Sequence, residues 1–343
     1  MAATKINLLN DYNSVAHPSV LEALRAHLGE RYEGYGLDRD SEEARAMILG
    51  MVKNPQAAVH FLIGGTHTNL VTLSASLRPH EAVIAPLSAH ISQHETGAIE
   101  ATGHKVLTVE SNDGKVKPEA VRAIIDRHTD EHMVKPRLLF ISQTTEYGTV
   151  YTRAELTALR ELCATSGLLL YVDGARLGYA LASDRCDLSL PDIAELADAF
   201  YIGGTKGGLL FGEALVLCNP DLQDDFRFLI KQRGGLLAKG FLLGIQFKAL
   251  FEDGLYFELA RQANRLAARF YTELRALGYS FEIETESNQI FPIVDNRDLP
   301  RLTQHVEFNL WNRLGADRTS IRFVTTWETT EDDIQAVLEL MSK

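Results

Sequence analysis

The chain has 343 residues, 45% hydrophobic and 23% charged, which suits one large α/β domain with a smaller companion around a sizeable core. Its net charge of −12 argues against nucleic acid or an anionic membrane surface as a main partner, since either selects a basic face. The three cysteines (Cys163, Cys186 and Cys218) form no CxxC pair, and neither an apolar signal core nor a membrane-length apolar run appears, so a reducing cytoplasm is expected.

In chain order, Pro18–Glu30 places Val20, Leu21, Leu24 and Leu28 at the spacing of one helix face. Short apolar runs then recur at Val59–Ile63, Ala82–Ala85, Val106–Val109, Leu138–Ser142, Leu168–Val172, Phe200–Ile202 and Ala214–Cys218. Helical patterns such as Pro118–Arg127 and Arg153–Ser166 lie between several of them. Continuous apolar strands alternating with amphipathic helices predict a mostly parallel sheet sandwiched by helices. From Leu222 to Leu277 the pattern is helical, including a long helix from Tyr256. Strand candidates Ile290–Val294 and Ile321–Thr325 follow, each with a helix after it. The expected division is a large domain with the N-terminal segment over residues 1–250 and a small α+β domain over 251–343.

Four stretches stand out chemically. In Phe61–Leu70, FLIGGTHTNL, a strand runs into Gly64-Gly65-Thr66, and a helix is expected from about Thr68. The N–H groups of such a helix start suit a phosphate, though most strand–Gly–helix junctions bind nothing. In Ser88–Ala98, SAHISQHETGA, His90 ends a strand–loop region as either a structural or a catalytic histidine. No HExxH, zinc-type Cys/His spacing or GxSxG occurs, so no metal site is expected. In Leu168–Leu181, LLLYVDGARLGYAL, Asp173 ends a buried strand, where open α/β sheets place ligand groups. Asp-Gly is equally a common turn pair, but Arg176 follows three residues later. In Phe200–Val216, FYIGGTKGGLLFGEALV, Lys206 has two glycines on either side. It reads either as a surface lysine in a hairpin or as a partly desolvated lysine of lowered pKa, its glycines letting the backbone approach a ligand.

A single cofactor draws on all four stretches. Pyridoxal phosphate needs a phosphate cup, a carboxylate on its pyridine nitrogen, a lysine for a Schiff base and a flat side chain against its ring.

DGARLGYAL and IGGTKGGLLFGEALV resemble the two most specific motifs of the threonine aldolases, within the aspartate-aminotransferase-like class of pyridoxal-phosphate enzymes. GGTHTNL, AHISQHETGA and IRFVTTWETTEDDI fall in matching order, and the likeness runs from about Leu8 to about Ile334. The resemblance implies that Lys206 carries the cofactor, His90 stacks on its ring and Asp173 pairs with the ring nitrogen. Gly65 and Thr66 would hold the phosphate, and Arg176 would contact the cofactor's phenolic oxygen or the substrate carboxylate. Arg322, in IRFVTT, would bind that carboxylate with a planar guanidinium.

The chain departs from the family pattern in three places. Leu9–Tyr12, LNDY, puts Asn10 where an RSDT-like stretch has a substrate-binding serine. Thr144–Gly148, TTEYG, puts Glu146 at or beside an active-site histidine that lies near the substrate's β-hydroxyl. The family's arginine that reaches a neighbouring subunit's phosphate has no clear counterpart in RGGLLAKG, with Lys231, Arg233 and Lys239 as candidates. The implied activity is retro-aldol cleavage of a β-hydroxy-α-amino acid such as threonine to glycine and an aldehyde, with Glu146 or a water it orients as the base, unless the carboxylate selects a different substrate side chain. A β-eliminating lyase, an aminotransferase and a non-catalytic binding protein are the alternatives. The resemblance also implies a homo-oligomer, dimer or tetramer, with active sites at the subunit interface.

Overall fold

The computed structural model describes residues 5–343. Its large sheet has seven strands, ordered Ala58–Leu62, Glu213–Leu217, Ala199–Gly203, Leu169–Asp173, Lys135–Ser142, Glu81–Pro86 and Val106–Val109. Glu213–Leu217 runs antiparallel to both neighbours, and the other pairings are parallel. The predicted mostly parallel α/β sheet is therefore present. Every residue of Glu81–Pro86, Leu169–Asp173, Ala199–Gly203 and Glu213–Leu217 is buried, as a sheet covered on both faces requires. Along the central strand, Leu170 and Val172 enter one core while Leu169 and Tyr171 enter the other, the alternation that pleating imposes.

Local chemistry sets the helix ends. Thr152 and Glu155 form a reciprocal capping box before Arg153–Ser166, and Gly167 stops that helix at a φ of 67°. The helix expected from Thr68 begins three residues earlier, at Gly65, because the carbonyl of Gly64 already accepts the Thr68 N–H at 2.9 Å.

The small domain is built on Arg318–Val324, which pairs antiparallel with Asn309–Arg313, Ile293–Asp295 and Gln289–Ile290. The strand expected over Ile290–Val294 is split in two around Phe291 and Pro292, since proline has no N–H to give a ladder. Leu255–Ala276 joins the domains. Its Tyr256 and Leu259 pack in the large core, and Leu266, Ala267, Phe270 and Leu274 pack in the small one. Ile6–Asn7 pairs in parallel with Val306–Glu307, and Leu8 lies in the small-domain core. That pairing returns Asp11 and Tyr12 to the ends of the large sheet's strands.

The glycines around the strand ends serve protein packing. A Cβ on Gly174 would lie 1.7 Å from the Tyr201 carbonyl oxygen, and one on Gly203 would lie 2.3 Å from that of Ala175. The Gly203 N–H donates to the Gly174 carbonyl at 2.9 Å, so these segments cross at backbone contact. Gly207 lies against the Tyr256 ring, where a Cβ would approach to 2.7 Å. Close packing between strands and helix is thus one requirement that Gly203 and Gly207, beside Lys206, meet. Gly174→Ala is expected to cost several kcal/mol, at or above the upper end of overpacking penalties (about 1–3 kcal/mol), because the clash is with backbone. Thermal unfolding against wild type checks it; an unchanged midpoint would contradict the crossing.

Candidate active site

Asp173 closes the central strand and is 4% exposed. A carboxylate there must be satisfied by donors. Oδ1 accepts from Tyr201 Oη at 2.5 Å and from the Ala175 N–H at 3.0 Å, and Oδ2 accepts from Asn69 Nδ2 at 3.0 Å. Burial, with the Asp173 charge next, pushes the Tyr201 hydroxyl well above the usual phenol range, so it stays a donor.

Lys206 emerges beyond the next strand, on the short 3₁₀ turn Thr205–Gly207. The Tyr179 hydroxyl holds that turn by donating to the Lys206 carbonyl at 2.7 Å. Burial, followed by the positive charge of Arg176, lowers the amine's pKa against the opposing pull of Asp11, Asp173 and Glu213. Glu213 is buried under the same turn, and its Oε2 accepts the Gly204 N–H at 2.9 Å.

His90 starts a short helix after Glu81–Pro86. Its N–H donates to Glu146 Oε1 at 2.9 Å, and its Nδ1 lies 2.8 Å from Glu95 Oε1. Glu146 follows Lys135–Ser142, and the Ser142 hydroxyl donates to the same Oε1 at 2.9 Å. Glu146 Oε2 is buried with no partner among the described residues. Burial and then the Asp173 charge raise the pKa of this carboxyl group.

Two arginines face the same space. Arg176 makes a bidentate pair with Asp11, from Nε to Oδ2 at 2.6 Å and from Nη2 to Oδ1 at 2.9 Å. Burial works against the Asp11 charge, but Arg176 and then Lys206 hold its pKa at about 2. Arg322 stands on Arg318–Val324 with its guanidinium carbon 4.9 Å from the Trp311 ring centroid. It donates to Gln289 Oε1 at 3.2 Å, while its buried Nε has no partner among the described residues. Burial, then the Arg176 charge, draws its pKa down to about 10.

His90, Glu146, Arg176, Lys206 and Arg322 all line one cavity of about 710 Å³. Asp173 is buried behind it. Gly65 and Thr66 do not line it; they form the first turn of Gly65–Ser76, where a Cβ on Gly65 would lie 3.1 Å from Tyr201 Oη. Asn10 is also outside the lining, its Oδ1 accepting the Tyr12 N–H at 3.0 Å. Of the phosphate-reaching candidates, Lys231 lies 4.7 Å from the Tyr35 ring centroid, and the Arg233 carbonyl is 3.3 Å from His67 Nε2.

Sequence reasoning missed Asp11, Asn69, Glu95, Tyr201 and Glu213. All five lie inside stretches already singled out (Asp11 in LNDY, Asn69 in FLIGGTHTNL, Glu95 in SAHISQHETGA, Tyr201 and Glu213 in FYIGGTKGGLLFGEALV), but the contacts they make emerge only in three dimensions.

Residues 7–297 match the profile of the beta-eliminating lyases. The chain belongs to that family. A low specificity L-threonine aldolase from Pseudomonas aeruginosa is 32% identical over 329 residues, 95% of this chain and 92% of its own. A threonine aldolase structure from Leishmania major is 44% identical, covers 98% of each chain and superposes with a TM-score of 0.96. A Thermus thermophilus aspartate aminotransferase, 17% identical, covers 98% of this chain and 91% of its own with a TM-score of 0.72, and shares the fold.

Asp11→Asn would leave the Arg176 guanidinium buried and unpaired, at a cost of about 3–5 kcal/mol. Asp11 has a folded pKa below its ordinary value of 3.8, so the pair's contribution is present above about pH 4 and fades as pH falls through about 2. Urea unfolding at neutral pH should show the loss; equal stability of variant and wild type would contradict it.

Proposed function

We propose that this chain is a pyridoxal-phosphate-dependent aldolase. It would cleave β-hydroxy-α-amino acids such as threonine to glycine and an aldehyde. The observation that carries this reading is the meeting of Lys206, His90, Glu146, Arg176 and Arg322 on one cavity. The relatives named above, threonine aldolases aligned along nearly the whole chain, support it.

The residues present fit the cofactor. Asp173 is a buried carboxylate suited to a pyridinium N–H, and Lys206 is an amine whose charged form burial disfavours; the helix start at Gly65–Thr66, outside the cavity lining, is the proposed holder of the phosphate. When bound, pyridoxal phosphate supplies an electron sink for the bond that breaks at Cα. Arg322 would hold the substrate carboxylate through its unpartnered Nε–H, which fixes the amino acid's rotation and hence which Cα bond is aligned for cleavage. Arg176 is already paired with Asp11, and would contribute positive field and position. Glu146 would take the β-hydroxyl proton, directly or through a water, and its raised pKa makes the ionised form a stronger base. His90 would cover the ring face.

Tyr12 and Leu310 line the cavity while 58% and 64% exposed, apolar surface that a second subunit would cover. This supports a homo-oligomer with active sites at the interface; a cytoplasmic setting rests on the cysteine usage alone. No helix among the described residues is long and apolar enough to cross a membrane.

Purified, cofactor-loaded protein should release glycine and an aldehyde in equal amounts from at least one member of a panel of β-hydroxy amino acids. A 2-oxo acid without glycine would favour β-elimination or transamination and overturn the aldolase reading. In the same assay, the acidic limb of kcat/KM should lie above the ordinary carboxylate range, since Glu146 ionises late. Glu146→Gln should remove that limb and lower kcat by about 10²–10⁴-fold; an unaltered limb would assign the base elsewhere.

A further inference from the structure

Glu95 has no role in the mechanism above, yet its side chain is fully buried beside it. Its Oε1 meets His90 Nδ1 at 2.8 Å and Asn69 Nδ2 at 2.8 Å. The other amide proton of Asn69 goes to Asp173 Oδ2 at 3.0 Å, and Asn69 Oδ1 accepts from Tyr171 Oη at 3.0 Å.

This chain of bonds leaves little freedom for any proton. The Tyr171 hydroxyl is kept protonated, since burial, with the Asp173 charge next, lifts its pKa well above the phenol range. It therefore donates to Asn69 Oδ1, which turns the amide so that its two protons face the two carboxylates. Glu95 Oε1 already serves as the acceptor of the Asn69 amide proton, so the His90 atom facing that oxygen is Nδ1–H. A neutral imidazole protonated there carries its lone pair on Nε2. The His90 side chain is 39% exposed and lines the cavity, and Nε2 is its remaining polar atom.

We propose that Glu95, held in place by Asn69, is a positioning residue that locks His90 in the Nδ1–H tautomer, so that His90 offers the cavity a hydrogen-bond acceptor. On the aldolase reading, on which this use rests, that acceptor serves the substrate's β-hydroxyl beside Glu146. The Asn69 amide also ties His90 to Asp173. The two groups proposed to meet the cofactor's face and ring nitrogen thus share one buried network.

The test is nitrogen-15 NMR of the histidine rings in the cofactor-loaded, full-length protein, with His90→Asn identifying the resonances. The wild-type His90 should show a pyrrole-type Nδ1 and a pyridine-type Nε2; a protonated Nε2 would overturn the proposal. Glu95→Leu removes the acceptor at similar volume and should move the proton to Nε2, lowering kcat/KM about 10–100-fold, by analogy with metal-bound histidines that lose an orienting partner. Glu95→Gln keeps a carbonyl oxygen for Nδ1–H, and should retain the wild-type tautomer and activity within a few-fold. Were Glu95→Leu not to fold, the wild-type and Glu95→Gln spectra would still decide, and a Glu95→Gln protein with protonated Nε2 would contradict the account. The locked tautomer in a protein that releases no glycine would uphold the positioning and reject the aldolase reading.

Discussion

A buried carboxylate at the end of the central strand organises the large domain. Asp173 has almost no contact with water and must be met by fixed donors, because an ionised group in a low-dielectric interior is otherwise prohibitively costly. Tyr201 comes from the neighbouring strand, Asn69 from the helix Gly65–Ser76 and the Ala175 N–H from the turn that follows. Bringing Tyr201 into reach requires the backbone crossing at Gly174 and Gly203. That crossing sets where the chain leaves the adjacent strand, and hence where Lys206 stands.

The second constraint is the balance of charge between the domains. Pairing Ile6–Asn7 with Val306–Glu307 stitches the N-terminal segment to the small domain and carries Asp11 back to Arg176. With Arg176 paired, the cavity keeps an Arg322 whose Nε–H is buried and unanswered among the described residues. The same cavity holds a Glu146 oxygen in the same condition. A buried donor and a buried acceptor, each short of a partner and facing one cavity, are groups that a small polar guest would satisfy.

Much of this was legible in the sequence. Strands buried on both faces read as plain apolar runs, and Val106–Val109 and Arg153–Ser166 fall at their expected bounds. The direction of Glu213–Leu217 was not legible, since a buried strand has the same composition either way. Asn309–Arg313, NLWNR, was missed because half-exposed polar residues dilute its alternation. Lys206, Asp173 and His90 announced themselves through local motifs. Asp11 and Asn69 act through partners distant in sequence, as in the pair of Asp11 with Arg176, 165 positions apart, whereas Glu95 meets His90 only five residues away. The glycines around Lys206 were visible, but their occupants, Tyr256 and the Ala175 backbone, were not.

The central claim is that these strand ends deliver Lys206 to a bound pyridoxal phosphate. Borohydride reduction of the loaded protein, followed by peptide mapping by mass, tests this most directly. The account predicts a single reduced adduct on Lys206, absent in Lys206→Ala. An adduct on another lysine, or one that persists in Lys206→Ala, would contradict it.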